Sequence, residues 1–229
     1  MLRLALACAL AAVLAACDGG SGAVSDAPDA SRLLQQAAQA SARLRTFHFR
    51  LSHENGSTPL PIGLNLDLES AEGDVALPDR VAADLRADAG RIDVSVKAVA
   101  IGPDTWLTNP FTRDWQKLDT DLRDFADIPG LLPALLPAVK DARVSGEEEV
   151  DGVRTYRLTG TVASADLEAV LPFALPNRQV KVEAWVGRDD SLPRRVRLIG
   201  PLIADEDEDV VRQLDLSRFD HQVDIRPPR

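Results

Sequence analysis

From Phe47 to near its end, run after run of the chain places apolar residues at alternate positions, and that period limits its fold more than any other feature. Successive side chains of a strand point to opposite faces, so alternation marks strands with one apolar and one solvated side. Phe47, Phe49 and Leu51 alternate with His48, Arg50 and Ser52. After a turn at Asn55-Gly56-Ser57 and two prolines, Pro59 and Pro61, come Leu64, Leu66 and Leu68. The pattern continues through Val81–Ala87, Ile92–Ala98, Thr105–Thr108 and Trp115–Leu118. It resumes at Asp141–Glu149 and Arg154–Thr161, joined by Asp151-Gly152, a strong hairpin signal. Val180–Val186, Arg194–Leu198 and a run over 211–219 complete it. One-sided strands with short turns predict an antiparallel sheet covered on one face only. The expected class is α+β: a single curved antiparallel sheet, or half-barrel, of about ten strands wrapped around a few helices.

Three segments depart from the period of two. Leu33, Leu34, Ala37, Ala38, Ser41 and Leu44 recur at helical spacing behind Ser31, which predicts a helix over 31–44 with Ser31 as its N-cap. Residues 121–140 carry Pro129, Pro133 and Pro137 at every fourth position. Proline lacks the N–H that an interior helical position needs, so short turns, each starting at a proline, are expected there. Ser164 is expected to cap a short helix over 165–171, stopped by Pro172.

The first thirty residues form a separate unit. Arg3 is the only charge before Asp18, and Leu4–Ala16 is apolar or small throughout apart from the thiol of Cys8. A charged start and a short apolar run have the layout of a secretory signal, and the run is shorter than the ~20 residues a spanning helix needs. It ends in Leu14-Ala15-Ala16-Cys17, which resembles the lipobox of bacterial lipoprotein precursors. The expected organisation is a signal peptide over 1–16, a lipidated Cys17 opening a flexible Gly/Ser/Asp/Pro tether over 17–30, and a single domain over 31–229. Two or more acyl chains on one cysteine hold a protein at a bilayer, at about 0.8 kcal/mol per buried CH₂. The expected location is the extracytoplasmic face of the cell membrane.

Composition and motifs narrow the chemistry. A net charge of −10, from 26 basic and 36 acidic residues, opposes nucleic-acid binding and docking to anionic head groups. With Cys8 removed and Cys17 lipidated, the domain would hold neither thiol nor disulfide, which excludes thiol catalysis and cysteine-ligated metals. His48 and His53 fall on opposite faces of one strand, and all three histidines, His221 included, are expected at the surface. Asp205-Glu206-Asp207-Glu208-Asp209 lacks the glycine and ligand spacing of a calcium loop and reads as a solvated hairpin tip. No nucleophile elbow or phosphate-binding glycine loop is present. No catalytic residue, metal site or cofactor is therefore expected.

An apolar sheet face must be covered, either by a closed core or by helices that leave a cavity. Two proline-bearing apolar segments, Pro129–Pro137 and Leu171–Pro176, are poorly suited to rigid packing and favour the cavity. The inward set and these segments nominate Phe49, Leu51, Leu64, Leu66, Val94, Val96, Leu131, Leu132, Leu135, Leu136, Leu171 and Phe173 as its lining. The alternative is a structural or sensory lipoprotein with a filled core that binds a protein partner.

The order of several fragments resembles the LppX/LprAFG family of lipoproteins. They are Leu44-Arg45-Thr46-Phe47-His48, Leu60-Pro61-Ile62, Thr105-Trp106-Leu107 with Trp115 and Asp119, and the run Val150–Gly160. The resemblance implies a half-barrel similar to periplasmic lipoprotein carriers, with acylated lipids or glycolipids held in an apolar cavity during traffic across the envelope. It implies no catalytic residues. The expected partners are an acyl lipid or glycolipid, the membrane through Cys17, and an envelope lipid transporter. The chain departs from the family in its acidic tip and in the density of prolines at 129–137.

Overall fold

A computed structural model describes residues 28–60, 66–90 and 92–229. The signal, Cys17 and most of the tether lie outside that range, as does Leu64.

The chain begins in helix α1 (Ala30–Ser41) and enters strand β1 (Thr46–Glu54). It then meanders through β2 (Thr58–Leu60), β3 (Leu66–Ala76), β4 (Arg80–Asp88), β5 (Asp93–Ile101), β6 (Asp104–Thr108) and β7 (Trp115–Leu118). Helix α2 (Ile128–Ala138) follows, then β8 (Lys140–Val150), β9 (Val153–Ala163), β10 (Gln179–Gly187), β11 (Pro193–Ile199) and β12 (Val211–Ser217). These form one sheet of twelve strands, ordered β7-β6-β5-β4-β3-β1-β12-β11-β10-β9-β8, with β2 paired to β3. Every pairing is antiparallel. The first strand is therefore central. The chain winds out to one edge, crosses by α2 to the other edge, and winds back until β12 closes on β1.

The fold is the curved antiparallel half-barrel that alternation predicts, with two additions. β2 forms around Pro59, whose missing N–H is tolerated on a short strand flanking β3. β3 runs to Ala76 through the polar stretch 69–74, and a bulge between Leu68 and Ser70 changes which residues face inward. The Asp151-Gly152 hairpin has positive φ at both residues, 49° and 80°, the geometry a two-residue turn requires.

The helices differ from expectation in instructive ways. α1 is capped by Asp29, not Ser31: Asp29 Oδ1 accepts from the N–H groups of Ser31 (2.9 Å) and Arg32 (3.2 Å). Its buried residues, Ala30, Leu34, Ala37, Ala38 and Ser41, make one stripe against the core. The segment expected to break into turns is instead a continuous helix, α2. Pro129 lies in its first turn, where no N–H is needed. Pro133 and Pro137 each forgo one bond to the residue four before, and the carbonyls they release belong to Pro129 and Pro133, nearly in line along one side. Leu132, Leu135 and Leu136, at 2%, 1% and 0% exposed, supply the compensating burial, roughly 1.5–3 kcal/mol each. The expected helix at 165–171 is a 3-10 turn over Ser164–Leu167. The Ser164 hydroxyl does not cap it, and accepts from the Arg178 N–H at 3.0 Å instead.

The convex face carries charge in register. One rung crosses eight strands through Arg157, Trp185, Arg195, Asp215, Arg50, Glu72, Asp84 and Lys97. Arg195–Asp215 (2.5 Å), Arg50–Glu72 (3.2 Å) and Lys97–Asp84 (2.8 Å) pair along it. Solvated pairs of this kind contribute about 0–1 kcal/mol each, so burial on the concave face dominates stability.

Candidate functional site: an apolar cavity on the concave face

The helices do not fill the half-barrel. Between α2 and strands β1–β7, β11 and β12 lies a cavity of about 280 Å³. Ile128, Leu131, Leu132 and Leu135 wall it from α2, and the spacing of three and four residues puts them on one helical face. The sheet contributes Phe47, Phe49 and Leu51 from β1, Leu68 and Ala71 from β3, and Val81, Ala83 and Leu85 from β4. Ala98 and Ala100 of β5 line it as well. Small residues at 83, 98 and 100 leave the space that larger ones would fill.

One border of the cavity is aromatic. The segment 171–176, expected to form an apolar cover, adopts turns without regular helix and lends Leu171, Phe173 and Ala174 to the lining. Phe173 is 45% exposed and stacks on Phe125, centroids 5.6 Å apart and planes at 16°.

Of the residues nominated from the sequence, Phe49, Leu51, Leu131, Leu132, Leu135, Leu171 and Phe173 stand along this cavity. Leu136 is fully buried in the main core and is not among the lining residues. Leu66, Val94 and Val96 face the same side of the sheet but form a second buried cluster with Ala87. Alternation fixes the face of a residue, not its height along the strand. These three lie toward the β4–β5 turn, where Ala87 pairs with Val94 and Leu85 with Val96. Leu60, Leu85 and Leu107 pack against that cluster and also line the cavity, so the two are continuous.

Among the described lining residues, only Thr58, Thr105 and Arg212 carry polar side chains. Arg212 was not nominated, although the sequence held a signal for it. It shares the inward parity of Leu214 and Leu216, and a cation at an inward position needs a buried anion. That anion is Glu206. The acidic run is not wholly a solvated tip: Asp205, Asp207, Glu208 and Asp209 are exposed, but the Glu206 side chain is 0% exposed and pairs with Arg212. Glu206 Oε2 also accepts from the N–H groups of Leu202 and Ile203, both at 2.8 Å.

The histidines divide similarly. His48 is buried on the convex side, its Nδ1 2.8 Å from Asp74 and its Nε2 3.1 Å from Glu72. It is not the surface residue expected, because Asp74, Glu72 and Arg218 close over it, and His221 approaches the same Asp74 at 3.2 Å. His53, at the inward end of β1, has Nδ1 2.9 Å from the Glu69 carbonyl and Nε2 2.8 Å from Thr58 Oγ1. Burial lowers its pKa. No group of histidine, cysteine and carboxylate with metal-holding geometry occurs among the described residues.

The model of the LppX_LprAFG lipoprotein family matches residues 29–225, the whole described domain apart from its ends. The chain belongs to the LppX/LprAFG lipoprotein family. Lipoprotein LprA of Mycobacterium tuberculosis (strain ATCC 25618 / H37Rv) is 28% identical over 196 residues, covering 76% of this chain and 75% of its own. The crystal structure of LprF from Mycobacterium bovis superposes with a TM-score of 0.67 at 18% identity, over 88% of this chain and 99% of that one. That of Mycobacterium tuberculosis LppX gives 0.62 at 18% identity, over 86% and 97%. The half-barrel is thus shared with LprF and LppX at low identity. No helix among the described residues of this member is long and apolar enough to cross a membrane.

Proposed function

We propose that this LppX/LprAFG lipoprotein is a non-enzymatic carrier that holds acylated lipids or glycolipids in its concave cavity and presents them within the cell envelope. The observation that carries the reading is the lining itself, in which all but three of the described side chains are apolar. A void walled by aliphatic groups excludes water poorly compensated by hydrogen bonds and favours hydrocarbon. At about 280 Å³ the cavity lies near the lower end of the range of ligand pockets, roughly 300–1,000 Å³. A lipid with several chains would have to displace Phe173 and its neighbours. A diacylated Cys17 would keep the carrier at the extracytoplasmic membrane surface, with residues 18–30 as tether, so that the cavity meets both bilayer lipid and an envelope transporter.

The test uses residues 18–229, which retain every described element, purified from a lipid-rich bacterial host. Native mass spectrometry before and after organic extraction reports bound lipid. Ala98 and Ala83 face one another across β4 and β5 and both line the cavity. Ala98→Trp or Ala83→Trp should cut acyl-lipid occupancy severalfold while the protein stays folded. A bare wild-type mass that takes up no added lipid would remove the carrier reading in favour of a filled or protein-binding role.

A further inference from the structure

The corner of the cavity where Arg212 meets Thr58 is a built site. Along the β1–β12 pair the inward positions run Phe49 opposite Leu216, Leu51 opposite Leu214, then His53 opposite Arg212, so polarity changes at a single rung. Thr58 of β2 completes the corner. Arg212 is 9% exposed. Its Nε donates to Thr58 Oγ1 at 3.2 Å, its Nη1 to the Gly200 carbonyl at 3.2 Å, and its Nη2 pairs with Glu206. A guanidinium has five N–H bonds; Nη2 is wholly enclosed beside Glu206, and Nη1 keeps one N–H without a partner among the described residues. A buried donor in that condition favours any oxygen that arrives within reach.

The charge of the corner says which oxygen. Glu206 already neutralises Arg212. Burial opposes a positive charge on His53: its Nδ1–H is committed to the Glu69 carbonyl, and its Nε2 lies 2.8 Å from Thr58 Oγ1, whose hydroxyl is also within reach of Glu206 Oε1 at 3.2 Å. A carboxylate or phosphate entering here would be an uncompensated anion in an apolar chamber, which is strongly unfavourable. An uncharged acceptor meets no such penalty.

Building on the carrier reading, we propose that Arg212, oriented by Glu206 and Thr58, binds an uncharged ester carbonyl or hydroxyl oxygen of the carried lipid. The acyl-ester end then sits at the β2 corner, and the chain runs along the Leu51 and Phe49 rank toward Leu131 and Leu135 of α2. The site selects esterified lipid over free fatty acid, and the arginine serves as a neutral-oxygen donor rather than an anion receptor.

Three probes of equal chain length separate the terms: methyl oleate, oleate at pH 8, and 1-octadecene, each delivered from cyclodextrin to residues 18–229 and followed by native mass spectrometry. Wild type should bind methyl oleate at least tenfold more tightly than either of the others. In the neutral pair Arg212→Met with Glu206→Gln, octadecene affinity should stay within twofold and the preference for the ester should vanish. Should that pair fail to fold, Thr58→Val should lower the ester preference at least threefold. A wild type that does not distinguish ester from hydrocarbon, or a variant that still does, overturns the proposal. Preference for oleate also overturns it, and makes Arg212 an anion site. Uptake of none of the three by wild type would overturn the carrier reading as well, which marks that failure apart from the others.

Discussion

His53 and Arg212 occupy opposed positions on β1 and β12, one rung beyond Leu51 and Leu214. Burial lowers the pKa of the imidazole because it opposes its charge, and the Arg212 cation works in the same direction. An unfolded chain titrates its histidine near pH 6.5. Below that value the unfolded state binds a proton that the folded state resists, so stability falls as pH drops and is unaffected above it. Urea midpoints measured from pH 7.5 to 5.5 should decline in wild type by more than in His53→Gln, up to about 1.4 kcal/mol per pH unit for one proton. Parallel curves for the two proteins would show that His53 charges freely in the fold.

The cap of α1 gives a sharp comparison of two adjacent candidates. Asp29 accepts two backbone N–H groups, whereas Ser31 donates its own N–H to that carboxylate. Asp29→Ala should cost about 1 kcal/mol, while Ser31→Ala should cost only a few tenths. Thermal unfolding of both variants decides it, and a larger loss for Ser31 would return the cap to the residue that sequence spacing favoured.

What the sequence made legible was local. Alternation and turn signals located eleven of the twelve strands, and they failed at β2, three residues long with a proline in the middle. It read Val94 and Val96 onto the correct face, but no local period carries the height at which the helices stop covering that face. α2 was hidden for a different reason. Proline spacing argues against a helix locally, and only the tertiary burial of Leu132, Leu135 and Leu136 reverses the balance. The Arg212–Glu206 pair shows the same gap, since a run of five acids looks solvated until one member is seen to face an inward arginine.

Packing and lining can be told apart within α2. Leu136 is 0% exposed and sits in the close-packed core, while Leu131 faces the cavity. Leu136→Ala should cost about 2–5 kcal/mol, the range for a buried leucine that leaves a void. Leu131→Ala removes a side chain already bordering empty space, so its cost should be about 1 kcal/mol or less. Its effect should appear instead as greater uptake of bulky lipid. Denaturant melts of the pair check the first statement, and equal losses would mean that the cavity is closed at Leu131.

Trp185 ties the convex rung together. Its ring lies between the guanidinium groups of Arg157 and Arg195, 5.3 and 5.8 Å from its centre, and its Nε1–H donates to Glu148 at 2.8 Å. That hydrogen bond is the largest cause of a lowered Glu148 pKa. A carboxylate depressed in the fold contributes stability above its unfolded pKa and loses it as pH falls through the folded one. Glu148 is half exposed, so solvent screening keeps this contribution small. Trp185→Phe retains the ring but not the donor, and should cost about 1 kcal/mol at neutral pH. It should also raise the Glu148 pKa toward the ordinary glutamate value, visible in a carboxyl-carbon NMR titration. Because the cavity lies on the opposite face of the sheet, lipid uptake should be unchanged. A Glu148 titration that does not move in Trp185→Phe would assign its shift to Arg157, its other close partner.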